Sequence, residues 1–369
     1  MFSLFFYGWW NWHYLFILGL SGLIDFFAAL AIDRCRSPFF RRGFLYLSLL
    51  ANLGLLGMFK YFHFSVTTLN SLAHKMGINW AIDPSLPFFF QVLPVGISFY
   101  TFQSMSYTID VYRRRLAPTC NVLHFFSFLA LFPQLVAGPI ERASNLLCQL
   151  ARPPRRTNEK VRYQAFCLIL VGYLKKMLLA DRLAPYINGA FASSSPSESC
   201  FHWWIIMAGF GFQIYGDFSG YSDIARGLAS WMGYSLQRNF RFPYFSCSLR
   251  EFWARWHISL SSWFRDYVYI PLGGNRCGSW KTYRNLWITM VLSGLWHGSR
   301  WNFVFWGVAH AFLLSLERFC GFDRFSFRGS GRIRYVAWAA TWLGPLRGYK
   351  LLLPGCFSVP PICRKLFLS

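Results

Sequence analysis

The stretch NLWITMVLSGLWHGSRWNFVFWGVAHAFLLSL occupies residues 285–316 and decides how the whole chain is interpreted. Its first part, up to Trp296, contains no charged residue, which is typical of a segment that lies in hydrocarbon. An ionisable residue at that depth is costly and is a functional candidate by default. His297, between Trp296 and Gly298, is therefore the first candidate site residue. The alternative is a histidine that only packs and hydrogen-bonds to a neighbouring helix, and position alone does not separate the two.

Basic residues lie on both sides of this stretch, with Arg284 before it and Arg318 after it. By the positive-inside rule, both outer ends are expected on the cytoplasmic face. A helix that starts at Arg284 rises roughly 20 Å before it reaches His297, which brings that residue near the bilayer midplane. A hairpin with its tip at His297 is the simplest geometry. One long helix over 285–316, with Arg300 in its middle, is the alternative.

The composition predicts an all-α polytopic membrane protein. Of the 369 residues, 55% are hydrophobic and 14% are charged, whereas a soluble domain carries about 25% charged residues. The net charge of +23 lies in clusters between apolar runs. Contact with anionic membrane lipid accounts for it without nucleic acid. The ten cysteines form no CxxC pair and show no zinc spacing, so we expect free thiols and no metal site.

Apolar runs and basic clusters together predict the topology. Membrane spans are expected at residues 12–32, 43–64, 88–109, 163–179 and 203–215.

Successive spans should alternate between a cytoplasmic and an external end. Residues 123–140 break this alternation, because basic clusters lie on both sides of that apolar run. The run also contains Pro133 and Gly138-Pro139, which interrupt helices. We therefore expect a re-entrant segment; an ordinary span that departs from the charge rule is the alternative.

The region 226–284 is basic throughout and mixes arginine with aromatic residues, which indicates amphipathic helices at the cytoplasmic interface. It contains His257, the second candidate, which would share a cavity with His297 if this layer dips into the membrane. An interfacial surface histidine is the alternative. Asp217 and Asp223 stand at the end of a predicted span. They would orient a histidine or pair with Arg226, and a helix N-cap is the alternative for Asp223 or Ser222.

Six motifs occur one after another along the chain. They are Leu93-Pro-Val-Gly-Ile-Ser-Phe-Tyr-Thr-Phe-Gln103, Phe132-Pro-Gln-Leu-Val-Ala-Gly-Pro-Ile140, Tyr215-Gly-Asp-Phe-Ser-Gly-Tyr-Ser-Asp223, Phe252-Trp-Ala-Arg-Trp-His-Ile-Ser-Leu260, Phe264-Arg-Asp-Tyr-Val-Tyr-Ile-Pro-Leu-Gly-Gly-Asn-Arg276 and Leu295-Trp-His-Gly298. Together they resemble the membrane-bound O-acyltransferases (MBOAT), in particular the branch similar to alginate O-acetyltransferases.

The resemblance implies a helical bundle around a membrane tunnel, with re-entrant segments. It also implies that His297 is catalytic, that His257 accompanies it, and that Trp296, Asp217 and Asp223 support the site.

Acetyl-CoA is the acyl donor that the resemblance implies. The phosphates of coenzyme A would meet Arg250, Arg255 and Arg265, for which lipid headgroup contact is the alternative. The acceptor would be an exported polysaccharide, reached through an extracytoplasmic acetyltransferase partner. The expected location is the bacterial inner membrane, with several passes.

The predicted domain spans residues 1–320, and residues 321–369 form a divergent tail without a clean apolar span. One hypothesis is that this tail reflects a truncated or shifted reading frame. Two further function hypotheses remain open. One is a channel or transporter that uses the buried histidine as a proton relay, and the other is an inactive truncated paralogue.

Overall fold

A computed structural model describes residues 2–9, 11–78, 80–83, 85, 93–136, 138–193 and 199–321. Throughout these ranges every regular element is a helix, as the composition predicts. The chain divides into two compact units, with the boundary between Arg155 and Arg156. The predicted tail lies outside the described residues from position 322 onward.

The first unit contains eight helices among its described residues. They are α1 (Phe2–Gly8), α2 (His13–Arg34), α3 (Pro38–Leu56), α4 (Phe62–Lys75), α5 (Ile97–Tyr112), α6 (Val122–Leu129), α7 (Phe132–Leu135) and α8 (Ala143–Leu150).

The first two predicted spans are present as membrane-length helices. Helix α2 confirms the span at 12–32, with 22 residues and an apolar composition. The span at 43–64 lies within a longer helix that is also apolar enough to cross a membrane, because α3 and α4 are joined by a π-turn at Gly57–Tyr61 and form one helix of 38 residues. The span at 88–109 is described only as α5, which has 16 residues; its first part falls mostly outside the described residues.

A buried carboxylate joins three helices of the first unit. Asp25 on α2 is fully buried and accepts hydrogen bonds from Ser48 and Asn52 on α3 and from Ser104 on α5. Asn52 in turn accepts a hydrogen bond from Ser21. Because a buried charge is tolerated only when it is hydrogen-bonded or paired, these donors are what permits Asp25 at this depth.

The predicted re-entrant segment at 123–140 consists of two short helices, α6 with eight residues and α7 with four. Neither is long enough to cross a bilayer. Gly96 lies against this segment with φ of 75°, and a Cβ there would be 2.3 Å from the carbonyl oxygen of Leu135. The re-entrant placement in a membrane stays a prediction.

The second unit contains seven helices in the part of the chain that is described. They are α9 (Glu159–Leu174), α10 (Asp181–Ala192), α11 (Cys200–Trp231), α12 (Leu249–Arg255), α13 (Ile258–Phe264), α14 (Ser279–His297) and α15 (Trp301–Phe319). Helices α9 and α10 continue through a π-turn at Lys175–Ala180 and form one helix of 34 residues. This helix includes the predicted span at 163–179 and is the third in the described chain that is both long and apolar enough to cross a membrane.

Helix α11 carries glycines on the side that packs against α9 and its π-turn. A Cβ at Gly220 would be 2.7 Å from the carbonyl oxygen of Gly172, and one at Gly227 would be 2.8 Å from that of Ala165. Glycine here allows two backbones to touch, as in other closely packed membrane helices. Phe218 projects from the opposite side of α11, about 160–200° around the helix from these glycines.

The opening stretch folds as a hairpin, so the hypothesis of one long helix over 285–316 is wrong. Helix α14 ends at His297 and α15 begins at Trp301. The two helices are antiparallel and in backbone contact, since a Cβ at Gly294 would be 2.3 Å from the carbonyl oxygen of Phe303. A Cβ at Gly307 would be 2.6 Å from that of Met290. Both glycines are required by this close approach.

Candidate functional site

The two histidines singled out from the sequence lie side by side in the second unit. The ring centroids of His257 and His297 are 6.4 Å apart. Trp296 lies 5.8 Å from the His257 ring and 5.1 Å from the His297 ring. His257 is 1% exposed, so the alternative of an interfacial surface histidine is wrong.

His257 has a left-handed backbone conformation, with φ of 42° and ψ of 55°. For a residue with a Cβ this conformation costs on the order of 1–2 kcal/mol. Asn239 holds it in place, because its carbonyl oxygen accepts from the Ile258 amide at 2.9 Å and its side-chain oxygen accepts from the Ser259 amide at 3.3 Å. The Asn239 amide group donates to Ser222 on α11. Strain retained by surrounding contacts is characteristic of functional positions.

Burial favours the neutral form of His257. Desolvation lowers the pKa of this imidazole well below its ordinary value, and the neighbouring His297 lowers the same pKa further. Phe218 of α11 stacks edge-on against the ring, with centroids 4.6 Å apart. A neutral imidazole accepts a proton and is therefore suited to general-base chemistry at neutral pH.

His297 is fixed at the tip of the hairpin. A Cβ at the next residue, Gly298, would be 1.9 Å from the Phe303 ring, so only glycine fits in this position without movement. The backbone of Gly298 is extended, with φ of −170°. Glycine is therefore required here for space and not for its conformational freedom.

A third histidine, His310 on α15, was not among the candidates from the sequence. It is fully buried, and its ring lies 4.5 Å from that of Trp306, which in turn lies 5.3 Å from that of His297. Trp253 of α12 contacts both Trp306 and His310. The four-residue spacing of Trp306 and His310 on one helix face was the signal available in the sequence.

A family model for the membrane-bound O-acyltransferases matches residues 57–354, and this match covers more than half of the chain. The chain belongs to the MBOAT family. It is 40% identical over 344 residues to the probable alginate O-acetylase AlgI of Pseudomonas putida, which covers 92% of this chain and 68% of that protein.

Two further relatives define the neighbourhood of this MBOAT chain. The probable alginate O-acetylase AlgI of Azotobacter vinelandii is 39% identical, over 93% of this chain and 66% of that protein. The peptidoglycan O-acetyltransferase of Helicobacter pylori is 35% identical, over 86% of this chain and 63% of that protein. The chain thus spans about two thirds of the length of these relatives. Family membership and the apolar helices identify a membrane protein.

The two aspartates predicted to support the MBOAT site lie inside α11, so the capping hypothesis for Asp223 or Ser222 is wrong. The predicted span at 203–215 lies within this helix, which continues to Trp231 and is not among the described helices that are both long and apolar enough to cross a membrane. Asp217 pairs with Lys176 at 2.6 Å. Asp223 pairs with Lys175 at 2.6 Å and with Arg226 at 3.3 Å, the pairing considered from the sequence.

The three arginines predicted to meet coenzyme A differ in their surroundings. Arg250 and Arg265 are exposed, and Arg265 bonds to the adjacent Asp266 at 2.8 Å. Arg255 forms an ion pair with Glu251 on α12. Their role in donor binding stays a prediction.

Proposed function

We propose that this MBOAT protein transfers an acetyl group from acetyl-CoA to an exported polysaccharide. The observation that carries the proposal is the convergence of His257 and His297 at 6.4 Å, from two separate motifs, in a chain of this family. The acetylated polymers in the names of the relatives, alginate and peptidoglycan, support a polysaccharide acceptor.

In the proposed reaction His297 is the general base. Its imidazole takes the proton from the acceptor hydroxyl, or from a carrier nucleophile, while that oxygen attacks the thioester carbonyl carbon. A carbon–oxygen bond forms and the carbon–sulfur bond breaks. The thiolate of coenzyme A leaves and receives the proton that His297 had taken. His257, held neutral by burial, positions the thioester or assists the proton transfer.

Acetyl-CoA enters from the cytoplasmic side in this proposal, and its phosphates contact exposed arginines. Arg250 and Arg265 suit that role better than Arg255 because they are exposed, whereas Arg255 is only partly exposed. Arg255 and Arg265 each pair with a nearby carboxylate, which phosphate would have to displace. A guanidinium binds phosphate oxygens through two parallel hydrogen bonds. Lipid headgroups offer the same oxygens, so both ligands are expected to compete for these side chains.

We further propose a multi-pass protein of the bacterial inner membrane. The acetyl group would cross the membrane through a tunnel and pass to an extracytoplasmic acetyltransferase partner or directly to the polymer. This direction of transfer agrees with the cytoplasmic placement of the basic region 226–284 by the positive-inside rule.

The test replaces each histidine by alanine and measures acetylation of the polymer together with membrane insertion. We expect His297→Ala to abolish acetylation and His257→Ala to lower it strongly, with normal insertion of both variants. His74→Ala is the matched control, because His74 is exposed on α4 in the first unit. Normal acetylation by His297→Ala would refute the assignment.

A second measurement separates the transferase from a proton-conducting channel. The row of His257, His297 and His310, with Trp306 between the last two, is the observation that would suit a proton relay. Purified transferase consumes acetyl-CoA when the acceptor is present. A channel consumes none, and instead dissipates a pH gradient across vesicles.

A further inference from the structure

The separation of the two site histidines depends on how α12 sits on α15. Helix α12 (Leu249–Arg255) leads directly into His257, and α15 (Trp301–Phe319) is the second helix of the hairpin that ends in His297. A shift of α12 along α15 therefore changes the distance between the imidazoles.

A glutamate of α15 contacts the start of α12. The carboxylate of Glu317 accepts a hydrogen bond from the Leu249 amide at 2.7 Å and a longer one from the Arg250 amide at 3.5 Å. These are the first two amides of α12, which have no acceptor inside their own helix. Ser248 accepts from the next such amide, that of Glu251, at 3.0 Å. The start of α12 is thus bonded partly by its own sequence and partly by α15.

The position of Glu317 is unfavourable for the helix that carries it. It lies in the last turn of α15, where the partial negative charge of the helix end repels a carboxylate. The same carboxylate accepts amide hydrogen bonds from α12, and such charge-assisted bonds are stronger than neutral ones. A carboxylate that is unfavourable in its own helix, and that is hydrogen-bonded to the neighbouring helix, indicates that its role is to position that neighbour.

The apolar contacts between α12 and α15 follow the same face. Glu317 is seven residues, or about two turns, beyond His310 on α15. Leu313 and Leu314, between them, pack on a small core formed by Leu249 and Phe252. At the site end, Trp253 of α12 lies against His310. Helix α12 is therefore held on α15 by apolar contacts along its length and by hydrogen bonds to Glu317 at its start.

We propose that Glu317 is a positioning residue that holds α12 in register on α15 and so sets the distance between His257 and His297. Its carboxylate accepts from the first amides of α12, and it acts on the site through that helix. The consequence for catalysis rests on the proposed acetyl transfer, whereas the docking of α12 does not.

The docking is tested by amide hydrogen exchange, which needs no activity. In the full chain in detergent, Glu317→Gln is expected to raise the exchange rate of the 249–255 amides about tenfold or more over the native protein. Glu159→Gln is the matched control, because Glu159 is an exposed glutamate in the first turn of α9. Equal exchange in the Glu317 variant and the control would overturn the proposal.

The catalytic consequence is tested by a double-mutant comparison. Glu317→Gln is expected to lower kcat about tenfold, and the KM for acetyl-CoA is expected to rise as well because Arg250 lies at the start of α12. In a His257→Ala background the same substitution is expected to have no further effect on kcat, because the glutamate acts through that histidine. A further tenfold loss in that background would overturn the positioning role. If the native chain transfers no acetyl group, the proposed function fails and the exchange experiment still decides the docking.

Discussion

Replacement of Gly294 by alanine tests most directly how His297 is held. Gly294 lies one turn before His297 on α14, and a Cβ there would be 2.3 Å from the carbonyl oxygen of Phe303. Since ordinary contacts begin near 3.4 Å, the two helices must separate by about 1 Å. The obstacle is backbone, so no change of side-chain rotamer relieves it.

The structure gives different magnitudes for stability and for rate. Overpacking costs about 1–3 kcal/mol, and the higher helix propensity of alanine returns about 1 kcal/mol. The free energy of unfolding should therefore fall by no more than about 2 kcal/mol. Displacing a catalytic group by about 1 Å lowers a rate on the order of 100-fold. We expect Gly294→Ala to insert normally and to transfer acetyl groups on the order of 100-fold more slowly.

The assay is acceptor-dependent consumption of acetyl-CoA by membranes that contain equal amounts of each variant. Gly189→Ala is the control, because Gly189 is also inside a helix and a Cβ there would meet nothing within 4 Å. Equal rates for the two alanine variants would refute the argument that backbone contact between α14 and α15 positions His297.

Three further predictions follow from the described contacts. Gly298→Ala is expected to lower the rate of transfer, and Phe303→Ala should restore part of it, because the obstacle there is a side chain; no rescue would exclude a steric cause. Asp25→Ala should lower the free energy of unfolding by about 1–3 kcal/mol for each donor left without an acceptor, and an unchanged thermal transition would contradict this. Because the folded-state pKa of His257 is lowered, the unfolded chain binds its proton first, and stability should fall by up to about 1.4 kcal/mol per pH unit as the pH drops below about 6.5. His257→Gln should show a shallower decrease between about pH 7.5 and about pH 5.5, measured by thermal unfolding.

The sequence predicted best those features that depend on local chemistry. An apolar run with one acidic residue, Asp25, predicted α2 with nearly correct bounds, and the basic residues on both sides of 285–316 indicated the hairpin. Helix length was predicted less well where an α-helix continues through a π-turn. The π-turn at Gly57–Tyr61 keeps α3 and α4 continuous, and apolar periodicity does not reveal such a turn.

The glycine-rich part of α11 was misinterpreted for a related reason. Gly216 and Gly220 lie beyond the predicted end of the span at 203–215, whereas in the structure they are inside α11 and allow contact with a neighbouring helix. Asp217 and Asp223 tolerate a helix interior because Lys176 and Lys175, far away in the sequence, neutralise them. Such a partner is visible only in three dimensions.

The candidate site was only partly predictable. The contact between His257 and His297 followed from resemblance and not from spacing, since 40 residues separate the two. His310 was missed because it lies in an apolar helix without a distinctive motif. Its relation to His297 passes through Trp306 across the hairpin, and that relation needs the fold.

The side of α11 that carries the glycines also closes the space between α11 and α9. Where α11 touches α9 and its π-turn, the backbones are too close for a lipid chain or a file of water molecules to pass. Passage between α11 and α9 on that side is therefore blocked by main-chain contact, whatever the side chains do. On the other side of α11, Phe218 stacks edge-on against His257. One side of α11 is thus closed by backbone contact with α9, and the other side contacts the candidate site residue His257.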